Sequence, residues 1–439
     1  MTNLDIKAVK NLKSESPTTI KVTASLKSRH KKEKRFKLAG KLAVSLGFFL
    51  VFALVFDIVY KALPAFHQHW VKLDIEYQQS WLSINDTTAK SLQSANFRKT
   101  LKNSIYQQFP DVKGRKDKRS LFKLFSSNAE FTIKDQLLAK PHLFNTTALK
   151  SPAEVWVRLD DDVDSYLKNI ETVGDVGARV DQKQAIWVKQ LTQENRIEKR
   201  FNISFFTNGD SREPELAGVK GAFTGTILTM LVTLALSFPL GVAAAIYLEE
   251  YAPKNKWTDI IEVNINNLAA VPSIIFGLLG LAVIINIFGL PRSAPIVGGI
   301  VLSLMTLPTI IIASRASIKA VPPSIREAAL GIGASKMQTT FGHVLPMAMP
   351  GIMTGTIIGL AQALGETAPL LMIGMVAFIV DVPTNVTDAA TVLPVQIFLW
   401  ADSPERAFLA KTSAAILVLL GFLFVMNISA ALIRKKFEK

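Results

Sequence analysis

The chain has 439 residues, 49% of them hydrophobic and 19% charged, with a mean hydropathy of +0.29; these values exclude a bare membrane bundle and an ordinary soluble enzyme and fit a membrane protein with a sizeable polar insertion. The absence of cysteine excludes disulfides, thiolate metal sites and cysteine nucleophiles and leaves the compartment open. The formal charge of +15 invites nucleic acid as a partner, but much of the excess flanks hydrophobic segments on one predicted side and reads as a membrane-topology signal instead.

Residues 1–37 form a polar, lysine-rich tail, predicted to be disordered to about residue 35 and to end in a basic membrane flank over Lys27–Lys37. Residues 38–60 are apolar except for Lys41 and Asp57 and are long enough to span a bilayer. With a long charged region before it and no small-residue cleavage site close behind, this segment is expected to stay as an anchor. Its basic flank places the N-terminus in the cytoplasm.

Residues 61–215 contain no apolar run of membrane length and are predicted to form a separate extracytoplasmic α+β domain. Within it we expect a helix over Asp86–Gln107, a basic turn at Lys113–Arg119, and strands near Trp156–Arg158 and Asn202–Phe206. Long domains translocate largely regardless of charge, so its lysines do not oppose an outside location. Asp160, Asp161, Asp162 and Asp164 invite a calcium reading, but the glycine and terminal glutamate of an EF-hand loop are missing and a solvated acidic turn is the better reading. His67 and His69 lack a third ligand, so no metal site is expected.

Five more spans are expected across residues 216–439. The second, Gly221–Tyr247, closes on Leu248-Glu-Glu-Tyr-Ala-Pro-Lys-Asn255, before a cytoplasmic connection with Lys254 and Lys256. The third, near Leu268–Phe288, opens with Asn267-Leu-Ala-Ala-Val-Pro-Ser273, where Pro272 is tolerable because the first N–H groups of a helix lack intrahelical partners. After a Gly289–Ser293 turn the fourth runs over Ala294–Ser314, with a kink expected at Pro308. Beyond the fifth, an outside connection covers Ile379–Arg406; its Leu393–Trp400 segment is too short to span and is expected at the interface, with Trp400 as an aromatic anchor. The sixth, Ala407–Ile433, stops at Arg434-Lys-Lys436. Six crossings return the C-terminus to the cytoplasm. The expected fold is thus an all-α polytopic membrane protein of six transmembrane helices, with the α+β insertion between the first and second spans.

The stretch from Ser314 to Pro369 joins a polar, helix-forming segment to an apolar one carrying a single acid. Pro322 and Pro323 break what precedes, and Ser324 stands three residues before Glu327, the spacing of a capping box for a short helix over Ile325–Leu330. Gly331 and Gly333 can take the left-handed backbone that ends it, and Ser335 three before Gln338 offers a second capping box for a helix running toward Pro346. On spacing alone Glu327 reads equally as a capping residue with no partner outside the chain. In the apolar half Gly351, Gly355 and Gly359 share a helical face with Gln362 and Glu366. The glycines alone read as close helix packing. Glu366 is different, because a charge inside a membrane span is costly and needs a partner or a wet cavity. Pro369 leaves the carbonyl of Gly365 without its helical donor and loosens the helix beside that acid.

Glu327-Ala328-Ala329, then Gly333, then His343-Val344-Leu345-Pro346 resembles the EAA loop of bacterial ABC importer permeases, with His343 at a position usually apolar. The resemblance implies the ABC importer permease fold. It also implies that Arg326, Glu327, Ala328, Ala329, Gly331 and Gly333 belong to a coupling helix, in a cytoplasmic loop of about 315–346, that docks on a separate ATPase. Gly365-Glu-Thr-Ala-Pro-Leu370, together with the Leu248–Asn255 phrase and the Val271-Pro-Ser273 opening, is similar to phosphate-importer permeases of the PstA type. Many relatives have an arginine four residues before the glutamate, where this chain has Gln362; Arg315 is the best alternative cation, beside its plainer reading as an interfacial anchor.

Arg315, Gln362, Gly365, Glu366, Thr367 and Pro369 are accordingly the candidate pathway and gating residues. A carboxylate at Glu366 can accept a hydrogen bond from protonated phosphate or pair with a cation on a partner permease, and it would disfavour fully ionised sulfate. The partners implied are a second related permease, an ATPase dimer and a periplasmic phosphate-binding protein, in a bacterial inner membrane and without nucleic acid. Permeases for molybdate or sulfate, and a membrane sensor that signals without net transport, are the alternatives. The chain has no G-x-x-x-x-G-K-[ST] phosphate loop, no H-E-x-x-H and no G-x-S-x-G. It is expected to bind no cofactor and catalyse no reaction, ATP and Mg being used by the partner ATPase.

Overall fold

The computed structural model describes residues 17–84, 88–144, 152–172, 180–376 and 378–437, in two compact units, Met1–Tyr60 and Lys61–Lys439. The start of the tail and the Asp86 start of the expected insertion helix lie outside the described residues. In the first unit, helix α1 (Pro17–Ala62) runs straight through the basic flank. The tail expected to be disordered is therefore helical from Pro17: lysine, arginine and alanine favour helix, and neither glycine nor another proline occurs before Gly40. Phe48, Phe52 and Phe56 on its apolar part are exposed, as suits a helix that is hydrophobic all round and faces lipid.

The second unit opens with the insertion. Its strands are β1 (His67–Ile75), β2 (Ala153–Arg158) and β3 (Ile197–Phe201), antiparallel in the order β2-β1-β3. Besides a single turn at Gln79–Leu82, its helices are α2 (Ala89–Ser94), α3 (Phe97–Gln108), α4 (Arg115–Phe122), α5 (Ala129–Ala139), α6 (Asp161–Thr172), α7 (Gln182–Gln193) and α8 (Ser204–Thr207). On β1 the buried Val71, Leu73 and Ile75 alternate with Lys72 and Asp74. Leu101 and Ile105 of α3, Ile133 and Leu137 of α5 and Leu191 of α7 join these residues in one core.

The insertion corrects several expectations. The single helix ending near Gln107 is two, because Asn96 breaks it and caps α3 by accepting from Lys99 N at 2.9 Å. The basic turn is helix α4, whose Asp117 pairs with Lys183 at 2.8 Å. The last strand stops at Phe201: the Asn202 side chain turns the backbone, accepting from Phe205 N at 3.3 Å and donating to Ala65 O at 3.0 Å. The acidic run is not a solvated turn. Asp164 is buried, accepts from His69 N and meets His69 Nδ1, both at 2.8 Å, and pairs with Lys168 at 2.5 Å, which ties α6 to the sheet.

The core is built from α9 (Lys220–Ile246), α10 (Lys256–Ala269), α11 (Ser273–Leu279), α12 (Pro295–Lys319), α13 (Pro323–Gly331), α14 (Lys336–Thr339), α15 (Leu345–Gly365), α16 (Ala368–Met372), α17 (Leu393–Ala401) and α18 (Ala407–Phe437). Among the described residues five helices are long and apolar enough to cross a membrane, or six if one bent pair counts as a span. The second half of that pair, α11 with the wide turns of Gly280–Ile285 after it, falls within the third expected span near Leu268–Phe288, whereas its first half, α10, is helix where a cytoplasmic connection is expected. The two halves meet at 101°, and Pro272 is the N-cap of α11 rather than a residue of its first turn. Helix α12 packs along both α9 and α15. Gly351 and Gly355 lie against Ser317 and Ala313, so close that a methyl group would collide, which is the packing reading of the glycine stripe. Trp400 is buried rather than interfacial: it stacks on Phe408 at 5.5 Å, and its Nε1–H donates to Asp210 Oδ1 at 3.0 Å.

Candidate coupling loop and broken-helix site

The coupling loop starts where α12 ends. Pro322, extended with ψ 138°, precedes Pro323 at the first helical position of α13, so the helix begins ahead of Ser324. The Ser324–Glu327 capping box does not form, and Glu327 is free to face outward beside the exposed Ala328, while Ala329 is buried. Gly331 stays helical; the left-handed residue is Gly333 alone, with φ +92°. The second capping box does form, Gln338 N donating to Ser335 Oγ at 3.2 Å and Ser335 N to Gln338 Oε1 at 2.8 Å. From there helix continues without a stop at Pro346, through the wide π-type turns of Thr340–Val344 into α15. His343 is exposed next to the fully buried Val344, so the core of this helix does not have to accommodate its polarity.

Two arginines fix this loop to the rest of the core. Arg326 on α13 donates from Nε and Nη2 to Glu250 Oε1 at 3.1 and 2.8 Å. It also donates from Nη1 to Val321 O at 2.8 Å, two residues past the end of α12, and from Nη2 to Ile318 O in its last turn at 2.9 Å. Arg315, on α12, donates from Nε to Glu249 Oε1 at 2.8 Å and reaches Glu262 Oε1 on α10 at 2.5 Å. The expectation that Arg315 serves as the cation for Glu366 is thereby corrected: both its acids belong to other elements. Glu249, Glu250 and Glu262 had no role in the sequence reading. Two adjacent acids at the inner end of a span, which need cations nearby, were the signal.

The apolar half also differs from expectation. Helix α15 does not merely loosen at Glu366 but ends at Gly365; Glu366 is extended, with φ −83° and ψ 121°, and α16 restarts at Ala368 with Pro369 in its first turn. Glu366 is half-buried and Gln362 exposed, and neither side chain has a hydrogen-bond or ion-pair partner among the described residues. Gly365 is exposed and Thr367 half-buried at the same break. This break touches the other one. Gly277 of α11 faces Pro369, where an added Cβ would come 2.6 Å from Pro369 Cα, so the two interrupted helices meet backbone to backbone. The arrangement supplies an exposed short helix, an ion-paired root beneath it, and a carboxylate without a partner among the described residues at a helix interruption.

Comparisons with known proteins agree with this architecture. A family model described as "Binding-protein-dependent transport system inner membrane component" matches residues 237–439, and one described as "Domain of unknown function (DUF3333)" matches residues 23–173. The phosphate transport system permease protein PstA of Yersinia pestis is 31% identical over 253 residues, 57% of this chain and 84% of the relative. PstA 1 of Mycobacterium tuberculosis (strain ATCC 25618 / H37Rv) is 32% identical over 217 residues, 49% of this chain and 70% of the relative. The probable ABC transporter permease protein YqgI of Bacillus subtilis is 32% identical over 173 residues, 39% of this chain, which spans only 58% of that relative. By these matches the chain belongs to the binding-protein-dependent transport system inner membrane components, among the PstA-type permeases.

Proposed function

We propose that this chain is one transmembrane subunit of an ATP-driven phosphate importer, forming half of the pathway and receiving motion from a separate ATPase. The observation that carries the reading is the α13 surface: Glu327 and Ala328 stand exposed on a short helix whose root is held by Arg326, so the helix is both accessible and rigid. A companion permease supplies the other half, and a periplasmic phosphate-binding protein delivers the anion. The basic stretch in the first half of α1 and the basic end of α18 support an orientation with both termini and the coupling loop in the cytoplasm and residues 61–215 in the periplasm. At Glu366 the unpaired carboxylate accepts from protonated phosphate or meets a cation of the companion, while the break at Gly365, Thr367 and Pro369 lets the gate bend.

The test is labelled phosphate uptake into vesicles containing all the subunits. Accumulation that requires ATP supports the reading. Uptake of molybdate or sulfate in place of phosphate would reassign the substrate, and phosphate-stimulated signalling without accumulation would make the chain a sensor.

A further inference from the structure

The coupling helix is not joined to the core through apolar packing alone. Arg326 makes four hydrogen bonds, two to Glu250, one to Ile318 O in the last turn of α12 and one to Val321 O just past it, so one guanidinium bolts α13 to both α12 and the turn that ends α9. That turn, Tyr247–Tyr251, is π-type, and it presents Glu249 and Glu250 to two different arginines. Glu249 takes Arg315, whose other arm holds Glu262 of α10. Helix α10 buries none of its residues, and the Arg315–Glu262 pair ties it to α12. Beyond the 101° bend, α11 carries Gly277 against Pro369, next to Glu366.

We infer that Arg326–Glu250 and Arg315–Glu249/Glu262 act together as the transmission link of this permease, carrying displacement of the coupling helix through the Glu249–Glu250 turn to α10 and on to the paired helix breaks. These are positioning residues; none is assigned contact with phosphate. The inference rests on the transport reading above. Charge pairs suit the task because they are directional and can exchange partners as a unit, whereas an apolar contact slides. The arginines lie only about one-fifth exposed (19% for Arg315 and 23% for Arg326), so solvent screens them less than surface pairs.

The experiment uses the assembled complex with its ATPase and binding protein in vesicles, measuring ATP hydrolysed and inorganic phosphate accumulated in the same sample. Glu250→Arg should raise ATP hydrolysed per phosphate moved by about tenfold, within the range of coupling energies between sites. The exchanged pair Glu250→Arg with Arg326→Glu should recover part of that loss. Glu262→Gln should uncouple in the same direction with the ATPase still bound. A merely structural role would lower both rates in proportion and leave the ratio unchanged, and that result would overturn the link. If the unaltered complex moves no phosphate at all, the transport reading itself fails, which is a different outcome.

Discussion

Glu366 is held at a chain position where a membrane helix has ended, half-buried and without a side-chain partner among the described residues. An unpaired carboxylate in such a place is sustained by something it meets during function. Glu366→Gln keeps the shape and removes the acceptor-only charge, so phosphate uptake should fall at least about tenfold, the equivalent of one lost charge-assisted hydrogen bond of roughly 1.4 kcal/mol. Uptake unchanged with the ATPase still assembled would remove Glu366 from the pathway. In the insertion, burial pushes the Asp161 carboxyl up to about 7, and Glu215, Asp162 and Glu213 push it the same way. Asp161 also sits in the first turn of α6, where a helix favours an acid, so the raised value means that desolvation and repulsion outweigh the helix dipole. With the folded value above that of the unfolded chain, this stability contribution is complete below about pH 4 and lost as pH rises through 7. Asp161→Asn should therefore slow hydrogen exchange in β2 and α6 at pH 8 and change it little at pH 4. Equal effects at both pH values would contradict the assignment.

At the scale of elements, the two interrupted helices depend on a missing side chain. A methyl group at Gly277 would strike the backbone of Pro369, which cannot swing aside as a side-chain tip could, whereas Gly47 of α1 has nothing within 4 Å. Gly277→Ala should abolish transport by separating α11 from α16, and Gly47→Ala should leave it near normal; measuring uptake at matched membrane levels checks both, and equal activity would show that the contact is dispensable. The long spans and the Ser335 capping box were legible because they rest on local periodicity and on one side chain reaching three residues. Strand β1 was legible in the alternation of Val71, Leu73 and Ile75 with Lys72 and Asp74 and was overlooked, whereas α10 was hidden because its polar residues resemble a connection. The role of Arg315 was out of reach for a different reason: its acids lie 66 and 53 positions earlier in the chain, and spacing says nothing about which distant turn a cation meets.

The whole molecule joins the insertion to the core along residues 213–219. Glu215 accepts through its backbone from Gln68 of β1 at 3.1 Å and through Oε1 from Ser126 at 2.6 Å, while the buried Lys411 of α18 donates to Ala217 O at 2.6 Å. Three residues after Ala217, α9 begins, and from Lys220 its helical rod of 32 residues reaches the Glu249–Glu250 turn, about 48 Å at 1.5 Å per residue. The insertion is therefore seated on the same rod whose other end holds the arginine pairs. Lys411→Met keeps much of the volume but removes the donor, leaving the Ala217 carbonyl without it and the buried Glu215 with one cation fewer nearby. That should cost the seam roughly 1–3 kcal/mol and expose residues 208–219 to limited proteolysis. The sheet, with its own core, should stay protected, as should the coupling loop, whose fixings do not pass through the seam. Cleavage that spreads at once through β1 and α5 would instead mean that the insertion has no stability apart from its seat on α9 and α18.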